Sequence, residues 1–401
     1  MRGRKKVSFT LILLVLLAGY IVWAVFKADH LIYPSVNRAS LKSVSLTKSI
    51  NWPKTGQSAV GINGTNILET NAPNTPKPTA STAKLITALV VLSIKPVTGS
   101  DSGPVITLGP NDVALYTSYA GAQGSVVPVA NGEKITERQM LEAMMLPSAN
   151  NMADSLAIWA FGSLSNYSAA ANSYVRNLGL RGTHIGIDGS GFSPTTTSTA
   201  SDLVKIGEQV MNNEVLASIV SQKQATDIPL VPLAKNVNYL LGTNNIVGLK
   251  TGNTDQAGGV YVSASKINLG SGITIITANL GSPTLPEAVN GSLPLILSSQ
   301  QNVNNFSYLP KGNVVGQYFV PWENKSVNIL TSENVSATAW GGSQIQPRIN
   351  LANIKTSNIN STDNVGDIRL VGQGVISSNA VKLVLSEPIN KPPILWRLMH
   401  P

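Results

Sequence analysis

Residues 81–94 read STAKLITALVVLSI, a stretch that is apolar on nearly every side. A helix of this kind is buried inside a larger domain. Pro78 and Thr79 are suitable start signals, and Pro96 is a stop signal. The sequence therefore predicts a buried helix that begins close to Ser81. Its apolar residues form two stripes, Leu85, Leu89 and Leu92 on one and Ile86 and Val90 on the other.

The same stretch opens with a serine that is followed three residues later by a lysine, Ser81 and Lys84. On a helix, positions i and i+3 share a face, so the amine can reach the hydroxyl. The helix dipole would stabilise negative charge developing at Ser81, and the Ser81 backbone N–H would supply one oxyanion donor. Burial and a nearby cation would lower the pKa of Lys84, which could then act as a neutral base. The alternative is a helix cap followed by a lysine that extends to solvent.

The Ser-x-x-Lys spacing occurs twice more in the chain, at Ser45…Lys48 and at Ser263…Lys266. Ser45 lies in a polar segment with nothing to bury a lysine. Ser263 lies in a predicted strand, where positions i and i+3 point to opposite faces. Only Ser81 opens a buried helix, and it is the predicted nucleophile.

A second polar group, Ser148-Ala149-Asn150, follows Pro147 between two predicted helices, residues 136–145 and 151–161. A hydroxyl and an amide at this turn could relay a proton and hold a substrate amide. The alternative is an ordinary helix N-cap at Ser148.

A third group, Lys250-Thr251-Gly252, ends a predicted strand that begins at Ile246. A lysine and a threonine hydroxyl on a strand make a pocket for a carboxylate, and Gly252 would let a substrate approach the backbone closely. The alternative is a solvated lysine on an edge strand. A decoy of the same sequence occurs at residues 54–56.

The remaining pattern predicts an α+β fold. Residues 57–70 read as a β-hairpin around Asn63-Gly64. Helices are predicted near 169–177 and 202–211, and strands at 246–250, 259–265 and 273–279. From about residue 300, short alternating runs such as VGQYFV and SVNILT predict a separate small β domain. We therefore expect a catalytic domain over residues 51–300, a β domain over 301–392 and a tail over 393–401.

The N-terminus predicts the compartment. Residues 8–26 read SFTLILLVLLAGYIVWAVF without a charge, after a basic segment at residues 1–7. About 20 apolar residues span a bilayer, and basic flanks stay in the cytoplasm. We expect a membrane anchor at 8–26, a stalk at 27–50 and an extracytoplasmic catalytic domain. The alternative is a cleaved signal peptide, which would give a secreted protein.

Composition excludes several classes of protein. Hydrophobic content is 43% against 12% charged residues, which is globular and not disordered. The 401-residue chain has no cysteine, so disulfide frameworks and Cys-based zinc sites are excluded. The net charge of +9 is not arranged as a basic stripe with aromatics, so a nucleic-acid partner is not expected. A Ser-His-Asp triad would have to use His184, which reads as a strand residue.

Taken in order, the three groups match the set found in penicillin-binding proteins and β-lactamases. Over about residues 45–300 the chain resembles the low-molecular-mass penicillin-binding proteins, which are serine D-alanyl-D-alanine carboxypeptidases with a β-lactamase/transpeptidase-like domain. The resemblance is carried by four segments: PTASTAKLITALVVL (78–92), GEKITERQMLEAMMLPSANNMADSLA (132–157), LGLRGTHIGIDGSGFSPTTTSTASDL (178–203) and VGLKTGNTDQAGGVYVSAS (247–265).

The resemblance implies removal of the terminal D-alanine from peptidoglycan stem peptides, with β-lactams as covalent inhibitors and with no cofactor or metal. It also implies a role for each matched residue. Ser81 would form the acyl-enzyme, Lys84 would accept its proton, Ser148 would assist proton transfer, Asn150 would orient the substrate, Lys250, Thr251 and Gly252 would form the carboxylate site, and the N–H groups of Ser81 and Asn253 would form the oxyanion hole.

Two alternatives share this fold. A β-lactamase needs an acid that activates the deacylating water. Glu208…Met211-Asn212 nearly matches the usual segment, although Glu208 reads as a solvated helix residue. A catalytically silent wall-binding protein is the other alternative, and the complete set of three groups argues against it.

Overall fold

The computed structural model describes residues 9–27, 31–71, 74–270, 272–355 and 357–400. The chain divides into two compact units. One comprises residues 49–302, and the other joins the residues up to Lys48 with those from Val303 onward. The combination of helices and strands confirms the predicted α+β fold.

The unit of residues 49–302 is built on a five-stranded antiparallel sheet. The predicted hairpin and all three predicted strands take part in it, and the three strands are each longer than predicted by a few residues. Gly64, in the hairpin loop, has a φ of +76°, which glycine adopts without steric cost. In spatial order the strands are Ile246–Thr254, Gly258–Ile267, Ile273–Ser282, Gln57–Ile62 and Leu68–Thr70.

Helices pack around this sheet and around one central helix, Ala83–Ile94, in which every residue from Ala83 to Leu92 is buried. The predicted all-round burial of this segment is confirmed. Its first turn is preceded by a short 3₁₀ turn, Ala80–Thr82, which carries Ser81. The other helices of this unit are Pro110–Gly121, Glu137–Met145, Asn150–Phe161, Leu164–Asn177, Ala200–Asn212, Glu214–Val220, Leu285–Gly291 and Leu293–Gln301.

Three pairs of short strands complete this unit. They are Lys77–Pro78 with Thr197–Ser198, Val105–Thr107 with Lys134–Thr136, and Gln224–Ala225 with Ala234–Lys235.

The helix Pro110–Gly121 was not expected from the sequence, which reads as loop and short strands over residues 97–134. None of its residues is buried, so its apolar side chains form no buried face. A local cap stabilises its start instead, because the Gly109 N–H donates to Asp112 Oδ2 at 2.7 Å.

The second unit is a β structure, as predicted for the C-terminal region. One sheet has seven strands, in the order Pro34–Val36, Val314–Val320, Lys325–Thr331, Val381–Leu385, Gly366–Val371, Gln344–Leu351 and Val44–Ser45. A three-stranded sheet joins Val303–Leu309, Val335–Trp340 and Val375–Ser378, and Leu31–Ile32 pairs with Ile354–Lys355.

The expected stalk at residues 27–50 is therefore corrected in its described part. Pro34–Val36 and Val44–Ser45 each pair with a strand of the C-terminal region, and Ile32 is buried in its core. Proline is tolerated at such positions because an edge strand leaves one side of its backbone unpaired.

The N-terminal segment forms a helix, Phe9–Lys27, and the tail forms a short helix, Ile394–Met399. The Tyr20 hydroxyl donates to the Leu398 carbonyl at 2.7 Å. Within the described ranges, no helix combines the length and the apolar character needed to cross a membrane. The predicted transmembrane anchor at residues 8–26 is therefore not confirmed.

Candidate active site

Ser81 and Lys84 meet as the sequence predicts. Ser81 is partly exposed, whereas the Lys84 side chain is 0% exposed. Lys84 Nζ donates to Ser81 Oγ at 2.7 Å and to Asn150 Oδ1 at 2.7 Å, and it lies 3.5 Å from Ser148 Oγ. The alternative of a lysine that extends to solvent is wrong, because the apolar helix buries the whole side chain.

Ser148 lies in the turn between the helices Glu137–Met145 and Asn150–Phe161, with a φ of +67°. The second helix has Ala149 at its N-cap position and no side-chain cap. Ser148 is therefore not an ordinary helix cap, and its hydroxyl turns towards Lys84 instead. Non-glycine residues with positive φ are uncommon and cluster at functional sites.

Lys250 lies on the edge strand Ile246–Thr254, yet it is only 1% exposed, so the alternative of a solvated edge lysine is wrong. Its Nζ donates to the Thr251 carbonyl at 3.2 Å. The 3₁₀ turn that carries Ser81 lies against this strand at Gly252. A Cβ on Gly252 would lie 2.9 Å from the Ser81 nitrogen and 3.1 Å from the Thr79 oxygen, so glycine is needed for this approach.

Both lysines have lowered pKa values. Burial lowers the pKa of Lys84 well below its ordinary value, the charge of Lys250 lowers it further, and Asp188 and Asp154 oppose the shift. Burial alone lowers the pKa of Lys250 to about 7. Desolvation disfavours the charged form of an amine. The site can therefore hold a neutral, basic Lys84 near neutral pH.

A cleft of about 280 Å³ opens over Ser81. Six of the predicted site residues line it, and Lys84 and Lys250 lie buried beneath them. The sequence did not point to the others, which come from loops and helices elsewhere in this unit except for Thr254, on the same strand as Thr251. The lining residues are Ser81, Gln123, Gly124, Ser125, Ser148, Asn150, Phe192, Val237, Thr251, Gly252, Asn253, Thr254 and Leu285.

A second set of polar residues that the sequence did not single out lines another cavity, which shares Phe192 with the cleft. Asp154 accepts hydrogen bonds from the Tyr119 hydroxyl at 2.6 Å and from the Gly189 N–H at 2.8 Å. Burial raises the pKa of Asp154 to about 6. Asp188 holds the loop that follows it. The only sequence signal was the glycine-rich run DGSGFS at residues 188–193.

The rejected sequence matches lie elsewhere. Ser263 is on the strand Gly258–Ile267 and pairs with the Thr277 hydroxyl, and Ser45 is on the strand Val44–Ser45. His184 bridges to Thr197 in an extended segment, as expected. Over the described residues, no cluster of histidine and carboxylate side chains is able to hold a metal ion.

Glu208, the candidate acid of a β-lactamase, is not among the residues that line the cleft. It is half-buried beside Gly61 of the strand Gln57–Ile62 and is not fully solvated, which corrects the sequence-based expectation. Burial raises its pKa to about 7.

A sequence profile described as D-alanyl-D-alanine carboxypeptidase matches residues 55–284, which include all three groups. The chain belongs to the D-alanyl-D-alanine carboxypeptidase family. It is a serine-type hydrolase of the cell wall with an extracytoplasmic catalytic domain, and the predicted family and enzyme class are confirmed.

Two curated relatives of this family illustrate the match. The D-alanyl-D-alanine carboxypeptidase of Streptomyces sp. (strain K15) is 32% identical over 242 residues, which cover 56% of this chain and 79% of the relative. Carboxypeptidase DacA of Escherichia coli (strain K12) is 30% identical over 188 residues, which cover 45% of this chain and 44% of the relative.

Solved structures show the same fold. The Streptomyces K15 DD-transpeptidase aligns with a TM-score of 0.55 at 27% identity and covers 63% of this chain and 98% of its own. Penicillin-binding protein 5 from Haemophilus influenzae aligns with a TM-score of 0.59 at 21% identity and covers 85% of this chain and 99% of its own.

Proposed function

We propose that Ser81 is the nucleophile with which this carboxypeptidase removes the terminal D-alanine from peptidoglycan stem peptides. The observation that carries the proposal is the 2.7 Å contact between the buried Lys84 amine and the Ser81 hydroxyl, on the floor of an open cleft. A serine needs an adjacent base to become nucleophilic, and an amine of lowered pKa is such a base at neutral pH.

The first half of the reaction forms an ester. Neutral Lys84 takes the Ser81 proton, and Ser81 Oγ attacks the carbonyl carbon of the penultimate D-alanine. The backbone N–H groups of Ser81 and Asn253 stabilise the oxyanion. When the peptide bond breaks, the amine of the leaving D-alanine takes the proton from Lys84, and Ser148, 3.5 Å from Lys84 Nζ, assists this transfer. Water then hydrolyses the ester and restores Ser81.

The substrate's own groups find partners around this centre. The Asn150 side chain lines the cleft and orients the substrate amide, while the Thr251 hydroxyl binds the terminal carboxylate. Lys250 lies beneath Thr251, so it contributes positive charge to the carboxylate site from below the cleft floor. β-Lactams, which carry a reactive amide and a carboxylate, would occupy the same groups and acylate Ser81.

The decisive experiment is D-alanine release from a synthetic pentapeptide that ends in D-Ala-D-Ala. Wild type should release D-alanine, and Ser81→Ala should release none. Ser45→Ala is the matched control, because Ser45 has the same spacing to a lysine but is exposed on a strand, and it should keep full activity. Retained release by Ser81→Ala would end the assignment.

A C-terminally amidated pentapeptide separates the carboxylate site from the nucleophile. Lys250→Ala should reduce the stabilisation of the transition state for the free-acid peptide by about 2–5 kcal/mol, because a buried charge loses its partner. It should affect the amidated peptide much less. Equal losses on the two peptides would count against a role of Lys250 in carboxylate binding.

We also propose that residues 8–26 attach the enzyme to the membrane. The support is the sequence alone, an uncharged apolar run after four basic residues. The mature protein should keep its N-terminus and sediment with membranes after an alkaline carbonate wash. A mature N-terminus beyond residue 26, with the enzyme in the soluble extracytoplasmic fraction, would identify a cleaved signal peptide instead.

A further inference from the structure

The segment Asp188–Ser193 forms a compact loop around one buried carboxylate. Asp188, 6% exposed, uses Oδ1 to accept from Ser190 N at 2.9 Å, Ser190 Oγ at 2.7 Å, Gly191 N at 2.5 Å and Phe192 N at 3.2 Å. Its Oδ2 accepts from Ser193 N at 3.0 Å. Hydrogen bonds to a carboxylate are stronger than those between neutral groups, so this one side chain sets the shape of the loop.

The loop presses on the residue that precedes the nucleophile. Gly191 has a φ of +72°, and a Cβ on it would lie 2.1 Å from the Ala80 oxygen. Ala80 itself has a φ of +45°, a costly conformation for a residue with a side chain. From the other side, a Cβ on Gly252 would lie 3.0 Å from the Ala80 Cβ. Ala80 is therefore packed between two glycines. This packing fixes the backbone conformation of Ala80 and so positions the backbone of Ser81, the next residue.

The same loop is tied to the helices that carry Lys84 and Asn150. The Gly189 carbonyl accepts from Thr87 Oγ1 at 2.6 Å, and Thr87 lies on the helix Ala83–Ile94. The Gly189 N–H donates to Asp154 Oδ1 at 2.8 Å, and Asp154 lies on the helix Asn150–Phe161. One loop thus connects the two helices whose ends form the catalytic centre.

We propose that Asp188 is a positioning residue for acylation, because it folds the Asp188–Ser193 loop into a wall that fixes the Ala80–Ser81 backbone beside Lys84. This inference rests on the proposed role of Ser81. Phe192 extends the same wall to the cleft, which it helps to line, and its ring meets Tyr119 edge-on at 5.5 Å.

Asp188 also contributes to the charge balance at Lys84. Three charged groups act on this amine: Lys250 lowers its pKa, whereas Asp188 and Asp154 raise it. Loss of the Asp188 charge should therefore lower the pKa of Lys84 further. The acid limb of the pH profile of acylation, below which Lys84 is protonated, should then move to lower pH.

The test compares Asp188→Asn and Asp188→Ala in the purified enzyme. The measured quantities are the rate of acylation by a fluorescent penicillin from pH 5 to 9, the initial non-covalent affinity and the melting temperature. Asp202→Asn is the matched control, because Asp202 is also a buried loop-holding carboxylate, which accepts from Gly182 N and Thr183 Oγ1 at 2.9 Å, but it is not one of the charged groups that act on Lys84.

We expect Asp188→Ala to slow the acylation step by about tenfold to a hundredfold, as small misplacements of reacting groups do, with little change in the initial affinity. Asp188→Asn keeps a side-chain oxygen that can accept hydrogen bonds from the loop, so its acylation rate should fall less. Because it loses the charge, the acid limb of its pH profile should shift to lower pH. Asp202→Asn should keep the wild-type pH profile.

Two results would overturn the inference. One is wild-type acylation at every pH in both Asp188 variants. The other is a loss of acylation rate in Asp188→Asn that is the same at every pH and follows the fall in melting temperature, with the same relation between rate and melting temperature in Asp202→Asn. If the wild-type enzyme is not acylated at Ser81, the proposed function is wrong whatever the Asp188 variants show. A failure of the proposed function can therefore be told apart from a failure of this inference.

Discussion

The amine nitrogen of Lys84 lies 2.7 Å from the hydroxyl oxygen of Ser81. The contact depends on burial, because the helix that begins after Ser81 removes the lysine from water and so lowers its pKa. It also depends on Asn150, whose side-chain oxygen receives a second hydrogen bond from the same amine at 2.7 Å. The amine is thus oriented as well as basic.

The role of Lys84 as the base can be tested with a residue that cannot lose its proton. Lys84→Arg replaces the neutral amine with a group that stays charged at accessible pH, because the guanidinium pKa exceeds about 12. We expect acylation by a fluorescent penicillin to fall by roughly 10²–10⁴-fold, the usual contribution of general base catalysis. The melting temperature reports whether the variant is folded. A folded Lys84→Arg enzyme that acylates within a few-fold of wild type would exclude Lys84 as the base.

The charge of Lys250 predicts that activity on peptides with a free carboxylate falls at alkaline pH. Its pKa is lowered to about 7 by burial, so the free enzyme loses this charge as the pH rises above that value. For a pentapeptide with a free carboxylate, kcat/KM should therefore fall above about pH 7. Lys250→Arg stays charged and should abolish the fall, although its bulk lowers the rate overall. An unchanged alkaline limb in Lys250→Arg would assign it to another group.

The close approach of Gly252 to the Ser81 backbone predicts that one added methyl group at this position slows acylation. In Gly252→Ala the new Cβ meets backbone atoms of Ser81 and Thr79 at 2.9 and 3.1 Å, which cannot move aside as a flexible side chain would. We expect acylation to fall by about a hundredfold or more. Gly291→Ala is the control, since nothing lies within 4 Å of its would-be Cβ. Equal acylation by the two variants would contradict the close approach.

Glu137 predicts how stability depends on pH. It is buried at the start of the helix Glu137–Met145, and among the described residues neither of its carboxylate oxygens has a hydrogen-bond partner. Burial raises its pKa from 4.5 to about 7. A raised carboxyl pKa means that the folded state binds the proton more tightly, so the stability that Glu137 contributes is lost as the pH rises from about 4.5 to 7.

Glu137→Gln should therefore stabilise the protein at pH 8 by about 1–2 kcal/mol and should have little effect at pH 5. Thermal or urea unfolding at the two pH values measures the difference. Glu214→Gln is the matched control, since Glu214 also begins a helix but is exposed, and it should change stability little at either pH. A Glu137→Gln variant that is less stable than wild type at pH 8 would contradict this argument.

Local sequence patterns were enough to predict the candidate catalytic residues but not the contacts that hold them in place. The Ser81–Lys84 pair could be predicted because a helix places positions three apart on one face, whatever the rest of the chain does. The contacts of Gly252 and Gly191 with the Ser81 turn could not, because they join segments that are more than 100 residues apart in the sequence. The strands at Pro34–Val36 and Val44–Ser45 were missed for the same reason, since their partners lie beyond residue 300.

The most direct test of Ser81 as the nucleophile is to map where a β-lactam attaches. The intact enzyme is reacted with penicillin, quenched and digested, and the modified peptide is sequenced by mass spectrometry. We expect one stoichiometric adduct on the side chain of Ser81, absent from Ser81→Ala and present in Ser45→Ala. A stoichiometric adduct on another residue, or an enzyme that releases D-alanine with Ser81 replaced, would contradict it.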